Sequence, residues 1–459
     1  MRRIRTAILL TVMTFCGYML SGSHAGLSAG VAFAAEEEDP AREEAAAVSD
    51  GEYLTEEAAG GTEEEIAAIE EGETANAEET GVLRDDLRFI FVHGLSGWGS
   101  YDSRYSFMPY WGMLGGDLMS YLCGAGYPSY AASVAPEGSA WDRACELYAQ
   151  LAGTVVDYGK EHSERCGHER FGRDFSEEPL IPDWEEDVKL VLLGHSFGGV
   201  TVRLFSELLE NGSAREQAVT DPEDLSGFFC GGQGSRIHAI VTLAAPTNGT
   251  TAYDMNSDPD FDPDSVSVSK SDERAGRIFA SRHSEVEDAG QTAEEVTGGA
   301  EPDTDKAAYD IAAYDMYIDN ALALNEQIST LPGTYYFAFS CSATEQQEDG
   351  NWVPVRSKME SLFRKTSTLM GCYTGVTAGG FKIDDSWKEN DGLVNTVSSK
   401  APIGAPSEDY VEGMALKPGI WYVMPVYDGD HMSLQGGMSK LNNVRPFYKE
   451  LLEMICALP

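Results

Sequence analysis

Residues 188–211 read VKLVLLGHSFGGVTVRLFSELLEN, and this stretch decides the fold. An apolar run leads into a G-x-S-x-G motif centred on Ser196, and a helical pattern follows it as far as Asn211. Between a strand and a helix, this motif is typical of a nucleophile elbow, a tight turn that presents the serine at the end of a buried strand. The N–H groups that begin the helix are partly positive and suit a developing oxyanion. We therefore predict that Ser196 is a nucleophile, with an ordinary tight turn of an α/β sheet as the alternative.

Outward from this motif, strand-like and helix-like patterns alternate along the chain. The predicted strands cover residues 88–92, 188–193, 237–243, 335–340 and 420–424, and the predicted helices cover residues 141–162, 200–211 and 444–456. Such alternation predicts the α/β class, with a mostly parallel, doubly wound sheet and helices on both faces. A glycine, Gly212, is expected to end the helix that follows the serine.

The composition indicates a large, strongly acidic globular protein. The chain has 459 residues, of which 42% are hydrophobic, and its 76 acidic against 32 basic residues give a formal net charge of −44. This charge repels nucleic acids and anionic membrane surfaces, so we expect no nucleic-acid partner. The eight cysteines form no C-x-x-C pair. Removal of Cys16 with an export signal would leave an odd number, so at least one thiol should be free.

The N-terminus is typical of an export signal. Three arginines precede an apolar run at residues 7–20, and the A-x-A sequence at residues 32–34 suits a cleavage site. We predict a signal peptide at residues 1–34 and a secreted protein, with a membrane anchor as the alternative. Residues 35–86, rich in Glu and Ala, are expected to form a disordered acidic spacer. The folded domain is then expected at residues 87–459.

A nucleophilic serine needs a general base, and three histidines follow Ser196 in the order that this fold class uses. His238 lies within a predicted strand and is expected to pack there, and His283 lies in a polar insertion with no strand before it. His431 follows the last predicted strand through a short loop. A base has to stand on a loop at the carboxyl edge of the sheet, so we predict His431. A surface loop histidine is the alternative.

The remaining catalytic groups are less closely specified by the sequence. Asp384, Asp385 and Asp391 all lie between the last two predicted strands, and Asp391 stands in an N-D-G turn that could aim a carboxylate at the histidine. A plain D-G turn remains the alternative. The oxyanion hole needs two N–H donors, for which we predict the backbone of Phe197 and of Leu95 in the glycine-containing loop after the first strand.

A second cluster of polar residues suggests a metal site. Asp142, His162 and His168 fall in one stretch, and two imidazoles with carboxylates suit Zn²⁺ in a closed structural site. On one helix, His162 and His168 would lie ~240° apart around the axis. The chain would therefore have to turn near residues 166–167 to bring both to one ion. Solvated or capping histidines are the alternative.

Several longer motifs point to one known family. They are HGLSGWG at 93–99, WDRACE at 141–146, VDYG at 156–159, LENG at 209–212, AP at 245–246 with GTT at 249–251, and ENDGLVNT at 389–396. With these motifs, the sequence from about Arg88 to the C-terminus resembles a bacterial true lipase family. That family contains the thermoalkalophilic Bacillus and Geobacillus lipases and the staphylococcal lipases.

The resemblance implies an α/β-hydrolase fold with a zinc-pinned inserted subdomain and a lid. The implied catalytic triad is Ser196, Asp391 and His431, and the implied oxyanion donors are the N–H groups of Leu95 and Phe197. The implied ligands of a structural zinc ion are Asp142, His162, His168 and Asp310. Asp310 is assigned by matching residues 310–315 to a D-x-x-x-Y-D pattern of the family, and Asp305 is its competitor for the fourth ligand.

The sequence departs from the family in three places. Ser433 and Met438 stand where the family has calcium-binding carboxylates, so we expect no calcium site there. Phe197 replaces the usual Gln or Met after the serine. The segment 253–306, either a lid or a flexible surface insertion, is short and acidic, whereas the family's lid is long and apolar. Because a lid opens at an oil surface by exposing apolar area, interfacial activation is expected to be poor.

The same segment contains alternate carboxylates that partly match a calcium loop. Asp258, Asp260, Asp262 and Asp264 have the spacing, but the glycine at the sixth position and the glutamate at the twelfth are missing. A solvated acidic run is the alternative.

Together these features predict an exported serine ester hydrolase, either a triacylglycerol lipase or a soluble carboxylesterase. The expected partner is an ester or lipid substrate, with transient contact to a lipid interface. Phospholipase or acyltransferase activity on the same scaffold is an alternative, as is a non-catalytic surface protein.

Overall fold

The computed structural model describes residues 83–184, 187–277, 309–437 and 443–459. The chain divides into two compact units, Met1–Thr80 and Gly81–Pro459, and every described residue belongs to the second. The predicted signal peptide and nearly all of the predicted spacer lie outside the described residues. The same holds for residues 278–306 of the predicted lid, with His283 and Asp305, and for Met438.

The described part of the chain contains the following elements. The strands are β1 (Leu87–Val92), β2 (Ser129–Ala132), β3 (Val155–Asp157), β4 (Phe171–Asp174), β5 (Lys189–His195), β6 (Ile237–Leu243), β7 (Tyr335–Phe339), β8 (Cys341–Ser342), β9 (Thr344–Gln346), β10 (Trp352–Pro354), β11 (Gly375–Val376), β12 (Lys382–Ile383), β13 (Ser407–Asp409), β14 (Trp421–Val423) and β15 (Tyr427–Asp428). The α-helices are α1 (Leu118–Gly124), α2 (Ala140–Ala152), α3 (Lys160–Cys166), α4 (Phe197–Asn211), α5 (Ala214–Val219), α6 (Gly227–Cys230), α7 (Thr251–Ser257), α8 (Ala312–Asp315), α9 (Ile318–Asn325), α10 (Arg364–Met370) and α11 (Arg445–Cys456). Short 3-10 helices occupy Ser103–Ser106, Met113–Gly115, Gly234–Arg236, Pro263–Ser265 and Asp385–Trp387.

Seven strands form one sheet in the order β13-β14-β7-β6-β5-β1-β2. Every neighbouring pair in this sheet is parallel. From β1 the chain first moves outward to β2, then returns to the other side of β1 at β5 and continues in the opposite direction. The order therefore reverses between β1 and β5. Ligands of doubly wound sheets bind at the carboxyl ends of the strands beside such a reversal.

Successive side chains of the strands are buried on opposite faces of the sheet. On one face, Ile90 and Leu192 pack with the apolar sides of α2 and α4. On the other face, Phe91 and Leu193 pack with those of α1 and α11. Fully buried parallel strands need a cover on both faces, and the amphipathic helices supply it. The predicted doubly wound α/β class, with helices on both faces, is confirmed.

One predicted element is wrong. The sequence suggested a single helix over residues 141–162, but α2 ends at Gly153, whose left-handed backbone (φ 63°) stops it. The chain then forms β3, which pairs with β4 in an antiparallel hairpin, and a second glycine, Gly159 (φ 92°), precedes α3. The apolar pattern runs through both breaks, so only the glycines signal them. By contrast, α4 ends at Gly212 as predicted.

Two further properties concern the described residues as a whole. No helix among them combines the length and the apolar composition needed to cross a bilayer. All seven cysteines in the described part are unpaired, so the prediction of at least one free thiol is confirmed.

Candidate active site

Ser196 stands in a strained turn between β5 and α4. Its backbone has φ 54° and ψ −130°, in a region that residues with a side chain rarely adopt. The Ser196 N–H donates to the Leu243 carbonyl at 2.8 Å, which fixes the turn to the neighbouring strand β6. A Cβ atom on Gly198 would overlap the Val92 carbonyl oxygen, so this position lets α4 begin directly against the end of β1. The turn has the strand–turn–helix form of a nucleophile elbow.

Three of the predicted site residues form one hydrogen-bonded series. The Ser196 Oγ lies 2.9 Å from His431 Nε2, and His431 Nδ1 lies 2.9 Å from Asp391 Oδ2. The exposed fractions of the three residues are 8% for the serine, 3% for the histidine and 0% for the aspartate. With Nδ1–H donating to the carboxylate, the Nε2 lone pair faces the serine hydroxyl. This is the arrangement that a general base requires.

The carboxylate of Asp391 is held by the turn in which it stands. Its Oδ1 accepts the N–H groups of Leu393 at 3.0 Å and Val394 at 2.8 Å, which leaves Oδ2 for the histidine. The His431 N–H also donates to the Asp391 carbonyl at 2.9 Å, so the two loops are joined through the main chain. Of the competing acids, Asp384 accepts hydrogen bonds from Ser386 and Asp385 pairs with Lys388.

The competing histidines lie elsewhere. His238 packs against the Tyr335 ring, and its Nε2 lies 3.3 Å from the Ile455 carbonyl oxygen. This position in β6 is the packed strand site that the sequence suggested. His283 lies outside the described residues.

The loop after β1 approaches the serine closely. A Cβ atom on Gly94 would lie 2.7 Å from the Ser196 Cβ, so only glycine fits at this point. Within the described chain, neither the Leu95 N–H nor the Phe197 N–H has a hydrogen-bond acceptor. Both N–H groups are therefore free to donate to a substrate oxygen.

Two buried residues behind the site were not found from the sequence. The Nε2–H of His195 donates to the His431 carbonyl at 2.8 Å, and its Nδ1 accepts the Tyr110 hydroxyl at 2.7 Å. The same hydroxyl accepts the Gly94 N–H at 3.1 Å. Burial lowers the pKa of His195 to about 3, so the ring is neutral, as this pattern requires. His195 and Tyr110 thus connect the loop that contains His431 to the loop after β1. One weak signal was present in the sequence, because His195 occupies the variable position directly before the serine of the G-x-S-x-G motif.

Arg143 contacts the start of the loop after β1. Its guanidinium is fully buried, donates to the His93 carbonyl and lies 5.0 Å from the centre of the Phe197 ring. Burial lowers the pKa of Arg143 to about 10, which still leaves it charged at neutral pH. A buried positive charge therefore lies beside the Phe197 ring and the end of β1.

The predicted metal ligands also converge. His162 Nε2 lies 3.0 Å from Asp142 Oδ1 and 3.2 Å from Asp310 Oδ1. His168 Nε2 lies 3.1 Å from Asp310 Oδ2 and 3.9 Å from Asp142 Oδ1. Gly167, with φ 84°, ends α3 and turns the chain between the two histidines. The turn that the spacing demanded near residues 166–167 is therefore present.

The cluster's polar atoms suit a cation. His168 Nε2 is buried and, among the described residues, makes no hydrogen bond despite its nearness to Asp310. Atoms that face a common centre rather than one another behave in this way, and two imidazoles with two carboxylates are a donor set that Zn²⁺ accepts. Burial lowers the pKa of His162, but Asp142 and Asp310 outweigh this effect and raise it to about 11. The metal-free cluster would therefore hold protons in place of the cation.

Cys166 is a further donor that sequence reasoning missed. It belongs to a possible metal-binding group with His162, His168 and Asp310. Its Sγ lies 3.9 Å from His162 Nδ1, however, whereas Nε2 is the atom of that ring that faces the carboxylates. Asp142 therefore fits the shared centre better than Cys166 does.

The described part of the acidic insertion packs against the domain. Asp272 is buried and pairs with Arg356 at 2.6 Å, and Asp258 Oδ2 accepts the Tyr373 hydroxyl at 2.9 Å. Asp258 and Asp262 also accept backbone N–H groups in tight turns. These carboxylates are engaged in protein hydrogen bonds rather than pointed at a shared centre.

The chain matches one known family and several known proteins. The family model described as "Lipase-like, C-terminal domain" matches residues 85–287 and 304–455. The lipase of Staphylococcus hyicus is 32% identical over 358 residues, which covers 76% of this chain and 53% of that protein. Lipase 2 of Staphylococcus aureus is 30% identical over 362 residues, which covers 76% of this chain and 50% of that protein. The chain thus spans about half the length of the curated relatives it matches.

Solved structures give a consistent result. The Staphylococcus hyicus lipase structure is 28% identical with a TM-score of 0.65, and the match covers 81% of this chain and 96% of that one. EstA from Clostridium botulinum is 29% identical with a TM-score of 0.66, over 83% of this chain and 90% of that one. Lipase 1 from Pelosinus fermentans is 32% identical with a TM-score of 0.64, over 82% of this chain and all 100% of that one.

Proposed function

Because the chain belongs to the lipase-like family that its motifs predicted, and has the α/β-hydrolase fold, we propose that it hydrolyses carboxylic esters with Ser196 as nucleophile. One observation carries the proposal. His431 lies between Ser196 Oγ and Asp391 Oδ2 at 2.9 Å from each, in a buried site. The similar proteins of Staphylococcus hyicus and Staphylococcus aureus are lipases by name, which agrees with this chemistry.

In the first half of the reaction, the Ser196 oxygen attacks the ester carbonyl carbon while His431 Nε2 takes its proton. Asp391 stabilises the imidazolium that forms and holds its tautomer. The negative charge on the carbonyl oxygen is stabilised by the N–H groups of Leu95 and Phe197, and the loss of one such donor typically costs ~3 kcal/mol. Collapse of this intermediate breaks the bond to the alcohol oxygen, which leaves with the proton from His431. The acyl group stays on the serine.

In the second half, water attacks the acyl carbon and gives a proton to His431 Nε2. The tetrahedral intermediate then expels the Ser196 oxygen, which takes the proton back. The carboxylic acid leaves, and the enzyme returns to its starting state.

A structural zinc ion is part of the proposal. Asp142, His162, His168 and Asp310 would hold it and so tie α2, α3 and the segment before α8 together. The ion takes no part in hydrolysis and supplies only a cross-link between these segments. We also propose export, because the first 34 residues have the features of a signal peptide.

The substrate class follows from the acidic insertion. Asp260, Asp262 and Asp264 are exposed and give this surface a negative charge that oil interfaces do not favour. Soluble or dispersed esters therefore suit it better than bulk oil. Hydrolysis rates across a chain-length series, above and below substrate solubility, test this choice. A jump in rate at the solubility limit would favour a true interfacial lipase.

Replacement of the nucleophile tests the activity itself. In Ser196→Ala, kcat for p-nitrophenyl esters should fall about 10⁵-fold or more, because the covalent step is lost. Ser129→Ala, which removes a buried hydroxyl in β2, is the matched control and should retain activity. A fluorophosphonate probe should label the wild type and the control but not Ser196→Ala. Equal labelling of all three would contradict the proposal.

A further inference from the structure

Two buried side chains join the loop after β1 to the loop that contains His431. The Tyr110 hydroxyl accepts the Gly94 N–H at 3.1 Å and lies 2.7 Å from His195 Nδ1. On the other side of that ring, His195 Nε2 lies 2.8 Å from the His431 carbonyl oxygen. Tyr110 and His195 are both buried, so their hydrogen bonds are shielded from water. Since Ser196 directly follows His195 in the chain, the series also passes next to the nucleophile.

The direction of every hydrogen bond in this series is determined by its two ends. The Gly94 N–H can only donate, and the His431 carbonyl can only accept. Burial lowers the pKa of His195 to about 3, so the neutral ring carries one hydrogen, and the carbonyl requires it on Nε2. The Nδ1 lone pair then accepts the Tyr110 hydroxyl. Hydrogen bonds that point the same way polarise one another, so the series behaves as one unit.

The carbonyl side of Gly94 is fixed by His93. Burial lowers the pKa of His93 to about 3, so this ring is neutral as well. The Val134 N–H donates to His93 Nε2 at 3.3 Å, so the hydrogen lies on Nδ1, which donates to the Gly94 carbonyl at 2.8 Å. In a trans peptide the carbonyl and the following N–H point in opposite directions. The bond to the Gly94 carbonyl therefore orients the Leu95 N–H, and the Tyr110 hydroxyl holds the same glycine from its N–H side.

Tyr110 is itself held firmly in place. Its ring packs edge-on against those of Trp98 and Trp111, with ring centres 5.4 Å apart in both pairs. Its carbonyl accepts the side-chain amide of Gln435, and the Gln435 carbonyl accepts the Gly112 N–H at 2.9 Å. Gln435 belongs to the segment that follows the base in the chain. The hydroxyl of Tyr110 therefore extends from a backbone that is already bonded to that segment.

We propose that Tyr110 and His195 are positioning residues, which fix the loop of the oxyanion donor relative to the loop of the base. The proposal rests on ester hydrolysis at Ser196. In that reaction, negative charge develops on the substrate oxygen while positive charge develops on the imidazole. Both loops have to be in place at the same moment, and a displacement of about 1 Å can lower the rate about 100-fold. A hydrogen-bonded bridge between the loops prevents this displacement.

Tyr110→Phe removes the hydroxyl and keeps the ring. For p-nitrophenyl esters, kcat should fall between about 10- and 100-fold, whereas KM should change less than about threefold because the substrate contacts remain. Rates are expressed per active serine, counted by titration with a p-nitrophenyl alkylphosphonate. Tyr336→Phe is the matched control, because the Tyr336 hydroxyl is also buried and accepts a backbone N–H, that of Leu331 at 2.7 Å before β7. It should keep the wild-type kcat.

Two replacements of His195 separate the two halves of the bridge. In His195→Asn, the amide oxygen takes the place of Nδ1 and accepts the Tyr110 hydroxyl, but the side chain is too short for the His431 carbonyl. In His195→Gln, the amide donates to that carbonyl and the bond to Tyr110 is lost. Each should lower kcat between about 10- and 100-fold. The double variant of Tyr110→Phe and His195→Asn should be no slower than the slower single variant, because a bridge broken once is already open.

A transition-state analogue distinguishes positioning from a general loss of stability. An alkylboronic acid binds the serine oxygen as a tetrahedral adduct whose own oxygen occupies the oxyanion position, so its affinity depends on both loops. Its inhibition constant should rise in Tyr110→Phe by the same factor by which kcat/KM falls. In Tyr336→Phe the inhibition constant should stay at the wild-type value, even if the melting temperature falls as far as in Tyr110→Phe.

Three results would overturn the proposal. They are a wild-type kcat in Tyr110→Phe, losses that multiply in the double variant, and an unchanged inhibition constant in Tyr110→Phe. If Tyr110→Phe does not fold, His195→Gln carries the same measurements. Failure of the proposed function has a different signature, because Ser196→Ala would then remain active. A wild-type rate in Tyr110→Phe together with an inactive Ser196→Ala therefore rejects the bridge alone.

Discussion

Among the described residues, histidines and aspartates form two clusters that differ in how the imidazole nitrogens face the carboxylates. At His431, one carboxylate takes Nδ1–H and a serine hydroxyl faces Nε2. At the metal cluster, the Nε2 atoms of His162 and His168 both face the carboxylates of Asp142 and Asp310. The first arrangement leaves a lone pair free to take a proton. The second gathers four donors around one centre. The geometry of the partners, rather than the residue types, separates the proposed proton-transfer site from the proposed cation site.

If this comparison is right, removal of the carboxylate that faces His431 should lower the rate of ester hydrolysis. Asp391→Asn should lower kcat about 10⁴-fold, because an amide favours the wrong imidazole tautomer and cannot stabilise the imidazolium. Ester hydrolysis at saturating substrate measures this change. Asp384→Asn, at an exposed acid in the same region, is the control and should keep full activity. A loss confined to Asp384→Asn would mean that the acid has been misassigned.

At the metal cluster, removal of a carboxylate should instead lower the zinc content and the stability of the protein. Asp310→Asn should lose the zinc ion and with it about 4 kcal/mol of stabilisation, the value for a ligand present at ~1,000 times its Kd. The melting temperature should then fall by roughly 5 °C. Atomic emission and thermal unfolding measure the two effects. Asp305→Asn should retain the metal. Full zinc content in Asp310→Asn would remove Asp310 from the ligand set.

Histidines at the two sites should also make opposite contributions to the pH dependence of stability. His195, beside the first site, has a folded-state pKa of about 3, below the ordinary value of 6.5. Its contribution to stability is thus complete above pH 6.5 and is lost as the pH falls towards 3. The loss is about 1.4 kcal/mol per pH unit, or roughly 2 kcal/mol between pH 6.5 and pH 5. His162 in the metal-free protein behaves inversely, because its pKa is raised to about 11 and its contribution is lost as the pH rises towards that value.

Urea unfolding of wild type and His195→Gln at pH 6.5 and pH 5 tests the first of these effects. Gln can donate a similar hydrogen bond but does not titrate. The difference in unfolding free energy between the two proteins should therefore narrow by roughly 2 kcal/mol at the lower pH. A difference that stays constant would show that His195 is not a buried neutral group.

The sequence predicted features with local signals and missed those that depend on distant partners. The elbow at Ser196 and the end of α4 at Gly212 are each set by a few neighbouring residues, and the α/β class follows from the alternation of patterns. The hairpin of β3 and β4 was missed because an apolar pattern runs through two glycines. The edge strand β13, with the sequence Ser-Glu-Asp, was missed because it is exposed and polar.

In the candidate sites as well, residues with local sequence signals were predicted and residues that depend on distant partners were missed. Chain order selected His431, and its place in the hydrogen-bonded series accords with that choice, while its role stays a prediction. The bond of His195 to the His431 carbonyl joins residues far apart in sequence, so no local pattern signals it. Arg143 gives no signal either, since an arginine on a helix is normally exposed.

The smallest expected effect concerns Cys166, which is close to the metal cluster but stands on the Nδ1 side of His162. If the shared centre is defined by Nε2, Cys166→Ser should keep the zinc ion and change the melting temperature by less than about 2 °C, since one buried sulfur is exchanged for a similar oxygen. Asp142→Asn, its matched counterpart on the Nε2 side, should lose the ion. Zinc content measured by atomic emission separates the two. Retention in Asp142→Asn with loss in Cys166→Ser would make the thiolate the fourth ligand and would place the ion at Nδ1 of His162 rather than at Nε2.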